Sequence, residues 1–139
     1  MKKFVLCATV GLFLIGMIAC GGGGKYADAK ALMEDMINAT EKFVNACDKA
    51  ENADDVVVAL NDYADAMKEL GPNMQKLIEK YPELKDQKNP PEELKPVIKK
   101  MEEVMQKMMG SMGKMMQYAN DPKVMEAQKN FQEAMASFK

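Results

Sequence analysis

Between Met101 and Met125 the chain reads MEEVMQKMMGSMGKMMQYANDPKVM, which holds eight methionines. Thioethers are soft, neutral donors that select Cu(I) over hard cations, and sulfurs three and four residues apart share one face of a helix. Met101, Met105, Met108, Met112 and Met115 have that spacing and form a candidate Cu(I) set. The competing reading is packing. The same five positions continue the phase of Leu94 and Ile98, and the chain also places methionine at 33, 36, 67 and 74, so a core stripe is the favoured expectation. A third reading treats Met108, Met109, Met112 and Met116 as an adaptable face for apolar partners. Gly110 and Gly113, each costing about 1 kcal/mol inside a helix, would soften that face. They would equally suit the close approach of a neighbouring helix.

Other chemistry is scarce. The chain has no His, Arg or Trp. Without His it lacks the ligand or base used by Ser-His-Asp triads, imidazole zinc sites and Glu-x-x-His di-iron bundles. Beyond residue 20 the hydroxyl nucleophiles are Thr40, Ser111 and Ser137, none beside a plausible base in the sequence. The carboxylate pairs Asp54 with Asp55 and Glu92 with Glu93 suit the positive ends of helices. An enzyme is not expected, and no cofactor is implied. The absence of Arg and the net charge of -2 argue against nucleic acid.

Residues 1–25, MKKFVLCATVGLFLIGMIACGGGGK, have the plan of an export signal: Lys2 and Lys3, an apolar run over 4–18, then small residues. A spanning helix needs about 20 apolar residues, and Gly11, Gly16 and the tetraglycine shorten the useful run. Met17-Ile18-Ala19-Cys20 resembles the lipobox of bacterial lipoproteins, with Met17 where that class usually shows Leu. The resemblance implies removal of residues 1–19 and acylation of Cys20, with residues 20–25 as a glycine-rich tether and 26–139 as the domain. It also implies a lipid-anchored place in the cell envelope, at the outer membrane in a diderm because Gly21 stands where Asp would mark inner-membrane retention. Several acyl chains, at about 0.8 kcal/mol per buried methylene, hold durably where a single chain does not. Of the three cysteines, Cys47 is then the one free thiol. Its place on an apolar stripe reads as a small buried hydrophobe.

The elements follow from periodicity. Over 28–48 a helical stripe runs through Ala29, Met33, Met36, Thr40, Phe43 and Cys47, widened by Leu32, Ile37 and Val44. A second begins after the acids of 51–55 and keeps one phase through Val56, Leu60, Tyr63, Met67, Leu70, Met74, Leu77 and Tyr81. That phase survives Gly71 and Pro72, which predicts one kinked helix or two pieces stacked end to end. A third is expected over 90–119, opened by Asn89, Pro90 and Pro91, with Leu94, Ile98 and the five methionines inward and Val97, Val104, Met109 and Met116 beside them. A fourth follows Pro122 with the stripe Val124, Phe131, Met135 and Phe138. Residues 115–125 also look like the methionine-rich helix starts of co-chaperone repeats that hold hydrophobic segments.

The sum is an all-α, up-and-down antiparallel bundle of about four helices, with the second and third forming a long central hairpin. The functional expectation is a non-catalytic, membrane-anchored interaction or structural module for a protein partner still to be named. A stripe left exposed would also serve a homo-oligomer. The alternative is a methionine-rich binder of Cu(I) or of a hydrophobic ligand or peptide.

Overall fold

A computed structural model describes residues 24–86 and 89–136. The signal segment 1–19, the lipidation site Cys20, residues 21–23 and 87–88, and the terminal 137–139 with Phe138 lie outside the described residues. Among the described residues the structure is all-α, with four helices and no strand.

Helix α1 (Ala27–Lys49) buries Ala29, Leu32, Ile37, Thr40, Phe43, Val44 and Cys47, while Met33 and Met36 lie half-buried at the edge of that stripe. Asn52 caps helix α2 (Ala53–Lys80). Its side chain accepts the Asp55 backbone N–H at 3.0 Å, and the Asp55 carboxylate accepts the Glu51 N–H at 3.0 Å. Two donors at the helix start are thereby satisfied, and the acids of 51–55 act as expected. Helix α2 runs unbroken through Gly71 and Pro72, with Pro72 exposed and Val56, Leu60, Tyr63, Met67 and Leu77 buried on either side of the pair in one phase.

Helix α3 (Lys95–Met116) starts later than expected. Pro91 sits at φ -51 and ψ 138, an extended conformation, and Glu92–Leu94 forms a single 3-10 turn first. Pro96 then occupies the first turn of α3, where its missing N–H costs nothing. Helix α4 (Pro122–Ala136) follows Asp121, whose carboxylate accepts the Lys123 N–H at 2.9 Å.

Helices α1 and α2 form an antiparallel pair across residues 50–52, α3 lies along α1, and α4 lies along α2. Leu94 and Val97 cluster with Ala29 and Leu32 at one end. At the other, Ser111 donates to Asp48 at 2.8 Å, so α3 runs parallel to α1. Lys123 pairs with Asp54 at 2.7 Å and Phe131 stacks on Tyr63 at 5.5 Å, so α4 runs parallel to α2. The chain goes up, down, up and down, but the central hairpin is α1–α2 rather than the second and third helices. The short 50–52 connector forces the first pair together, whereas the stretch 81–94 is long enough to carry α3 past α2 to α1.

Ala59 and Ala64 of α2 and Ala127 and Ala134 of α4 are buried, and such small residues let two helices approach closely. Met135, expected in the α4 core, is turned outward at 40% exposure because its neighbour Ala134, at 2%, takes the inward position. Phe43, Tyr63 and Phe131 stack in sequence, with 4.7 Å between the first two rings, and tie α1, α2 and α4 into one cluster. The one buried side-chain hydroxyl pair, Thr40 and Tyr63 at 3.1 Å, is satisfied because Thr40 also donates to the Met36 carbonyl at 2.8 Å.

A clasp closes the other end. Lys25 donates to Glu83 at 2.6 Å and Tyr26 to the same oxygen at 2.8 Å. Lys80 meets Asp28 at 2.5 Å, and the Tyr81 hydroxyl lies 2.7 Å from the Lys25 carbonyl and 2.9 Å from Asp28. The Lys25 hydrogen bond holds the Glu83 carboxyl down at about 2, and the Lys80 hydrogen bond is the main cause that lowers Asp28. Both folded values lie below the unfolded ones, so the clasp stabilises the fold above the ordinary carboxylate range and is lost as pH falls through the folded values. The Tyr26 and Tyr81 ring resonances, 5.1 Å apart, should hold steady from about pH 7 down through the ordinary carboxylate range near pH 4 and move together only as pH falls on toward about 2 in an NMR titration.

Gly110 and Gly113 face open space: a Cβ at either would meet nothing within 4 Å. Close helix approach therefore does not explain them. Gly110→Ala with Gly113→Ala should raise the melting temperature by roughly 5–10 °C, at up to about 1 kcal/mol each, measured by circular dichroism.

Candidate functional site

Helix α3 carries two apolar stripes. The buried one is Leu94, Val97, Val104, Ser111 and Met115, with Met101 and Met108 half-buried in the same phase. One residue further on, about 100° around the helix, stand Met105, Met109, Met112 and Met116. Their exposures are 43%, 70%, 43% and 75%. The expectation that the methionines continue the core is corrected here. Met115 is buried, whereas Met105 and Met112 belong to the outer stripe. Ser111 hides the true phase in the sequence, because a serine at a core position reads as a break; Asp48 makes its burial affordable by accepting its hydroxyl proton.

The outer stripe borders two clefts, and their positions follow from helix length. Helix α2 has 28 residues, about 42 Å, and α4 has 15, about 22 Å. Parallel to α2 from a common start, α4 ends near Lys68, so the second half of α2 and the first half of α3 have no fourth helix between them. The first cleft lies there. It encloses about 560 Å³ and is lined by Met33 and Met36 of α1, Met74 of α2, and Ile98, Met101, Met105 and Met109 of α3, with Glu102 and Gln106 at its margin. The second cleft, about 340 Å³, is the seam between α3 and α4, where the two helices are neighbours in sequence without a close backbone interface. Met108, Met112, Met115 and Met116 form one wall, Phe131, Gln128 and Gln132 the other, and Phe43 and Leu60 the floor.

The candidate sets divide accordingly. Of the single-helix Cu(I) set, Met101 and Met105 line the first cleft, and Met108, Met112 and Met115 the second, so the five form no common site. Of the adaptable face, Met108, Met112 and Met116 line the second cleft and Met109 the first. The sequence reading did not join Met33, Met36 and Met74 to α3, because no periodicity within one helix reports a meeting of three.

The remaining candidates are structural. Ser111 and Asp48 tie α3 to α1, Asp55 completes a helix cap, Asp54 pairs with Lys123, and Glu92 pairs with Lys95. Among the described residues no group of three or more His, Cys, Asp or Glu side chains is placed to hold a metal, and no helix is long and apolar enough to cross a membrane. No protein-family model, curated protein or solved structure matches this chain.

Cys47 is fully buried between α1 and the first half of α2. Burial, and then the neighbouring Asp48 charge, push its thiol up to about 11, so the reactive thiolate is suppressed at neutral pH. In the full chain carrying Cys7→Ser and Cys20→Ser, iodoacetamide at about pH 8 should leave Cys47 unmodified until denaturant unfolds the bundle, as read by intact mass.

Proposed function

We propose that this chain is a non-catalytic, membrane-anchored interaction module of the bacterial envelope, held by acylated Cys20 and docking an amphipathic helical segment of a partner protein in the α3–α4 seam. The observation that carries the reading is the open fourth side of the bundle. Three of the four helix pairs that would adjoin in a square bundle are in close backbone contact, and the α3–α4 side instead presents a methionine-walled cleft with Phe43 and Leu60 as its floor. An apolar helix face fits such a groove, with anchors every three or four residues. Unbranched thioether side chains repack around anchors of different shape at little cost. The polar Gln128 and Gln132 on one wall give the rim hydrogen-bonding groups that stay solvated.

The anchor rests on the likeness of residues 17–20 to a lipobox, and the docking on the seam, so each has its own test. Cys20→Ser should abolish globomycin-sensitive processing and the incorporation of labelled fatty acid, and a variant that is still cut and acylated would remove the anchor from the reading. For the seam, a fluorescent amphipathic model helix of leucine and lysine should bind saturably in an anisotropy titration. Met112→Lys should weaken that binding about tenfold, ~1.4 kcal/mol, while Met125→Lys, on an exposed position outside the seam, leaves it unchanged. Equal binding by both variants would remove the seam from the reading.

A further inference from the structure

The first cleft has a composition that apolar packing alone does not require. Six of its nine lining residues are methionine, in a chain with 15 methionines among 139 residues. A space filled only for its apolar character could as well be lined by Leu, Ile and Val, which pack in better-defined rotamers. Here methionines from three helices line one cleft. Met33 and Met36 stand one turn apart on α1, Met101 and Met105 one turn apart on α3, and Met74 enters from α2. The cleft is open to solvent because α4 stops short of it, so an ion can enter without unfolding the bundle. Its margin carries one carboxylate, Glu102, which supplies a negative charge near any bound cation without building an oxygen cage.

We propose that this cleft binds a soft monovalent cation, Cu(I), through thioether sulfurs drawn from Met33, Met36, Met74, Met101 and Met105. Soft thioethers select Cu(I) over Mg(II), Ca(II) and Zn(II), which need full sets of oxygen, imidazole or thiolate donors, where the cleft offers only the side-chain oxygens of Glu102 and Gln106. The chain holds no imidazole to compete. Cys47, the thiol among the described residues, is fully buried in the opposite cluster and is not a rival ligand. The metal enters as Cu(I) and leaves as Cu(I), so no electron transfer is involved. The proposal is independent of docking at the α3–α4 seam, and either can fail alone.

The test uses the full chain with Cys7→Ser and Cys20→Ser, which removes the remaining thiols. Under anaerobic conditions the protein should withdraw one equivalent of copper from the Cu(I)–bicinchoninate complex. Met36→Leu, Met74→Leu and Met101→Leu together conserve side-chain volume and remove only donor sulfur, so the fold should persist by circular dichroism while affinity falls at least tenfold. Met108→Leu, Met112→Leu and Met116→Leu, in the seam, should bind as the parent does. In the parent, Ag(I) should shift the methionine methyl NMR signals of residues 33, 36, 74, 101 and 105 and leave buried Met67 in place. Failure to withdraw copper at equimolar protein overturns the proposal. So does undiminished withdrawal by the first triple variant, or Ag(I) shifts confined to the seam methyls.

Discussion

Helix α3 offers two apolar stripes, one residue out of step, to a bundle that can bury only one of them. The inner stripe wins because Val97 and Val104 meet α1, and buried Ser111 finds an acceptor in the Asp48 carboxylate. Everything notable about the surface follows from the other. A stripe that starts about 100° away cannot reach the same neighbour, and α4, which would have to cover it, is both short and committed to α2 through its alanines. The methionine face is therefore left in two shallow clefts by geometry. It does not arise from a loop or from a strained segment.

Among the described residues, the side-chain polar groups buried in the bundle are few and all partnered. Thr40 bonds back to the Met36 carbonyl and across to Tyr63, so a β-branched hydroxyl residue in mid-helix costs no unsatisfied group. Burial raises the Tyr63 hydroxyl, which keeps it in the neutral form that this contact needs. The two ends are held differently. One has stacked rings and a capped helix start, whereas the other has exposed ion pairs and a pair of tyrosines. The charged end is the one that responds to acid.

Periodicity carried the fold well where one stripe dominates. In α2 and its C-cap Tyr81, all eight expected positions are buried or half-buried, across a proline that local propensity would have used as a break. It failed where two regular patterns overlap. On α3 the series Leu94, Val97, Met101, Val104, Met108, Ser111, Met115 is as regular as the one chosen through Ile98, Met105 and Met112, and apolar content favoured the wrong member because serine counts against it. On α4 Val124 and Phe131 face the core as expected, and the error was Met135, whose neighbour Ala134 takes the inward position. Helix pairing was misjudged because contact is decided by connector length, and the turns of 82–85 and 92–94 lengthen a connection that looked short. The clefts were out of reach for a related reason. They depend on the difference between two helix lengths, and no single stretch of sequence states a difference.

The clasp at the foot of α1 also bears on mechanics. Because residues 25–28 are bonded to residues 80–83 on the neighbouring helix, tension arriving along the backbone from the amino-terminal side is divided between two antiparallel rods instead of unwinding the first turn of one. A domain pulled from that corner resists as a unit until five hydrogen bonds give way together.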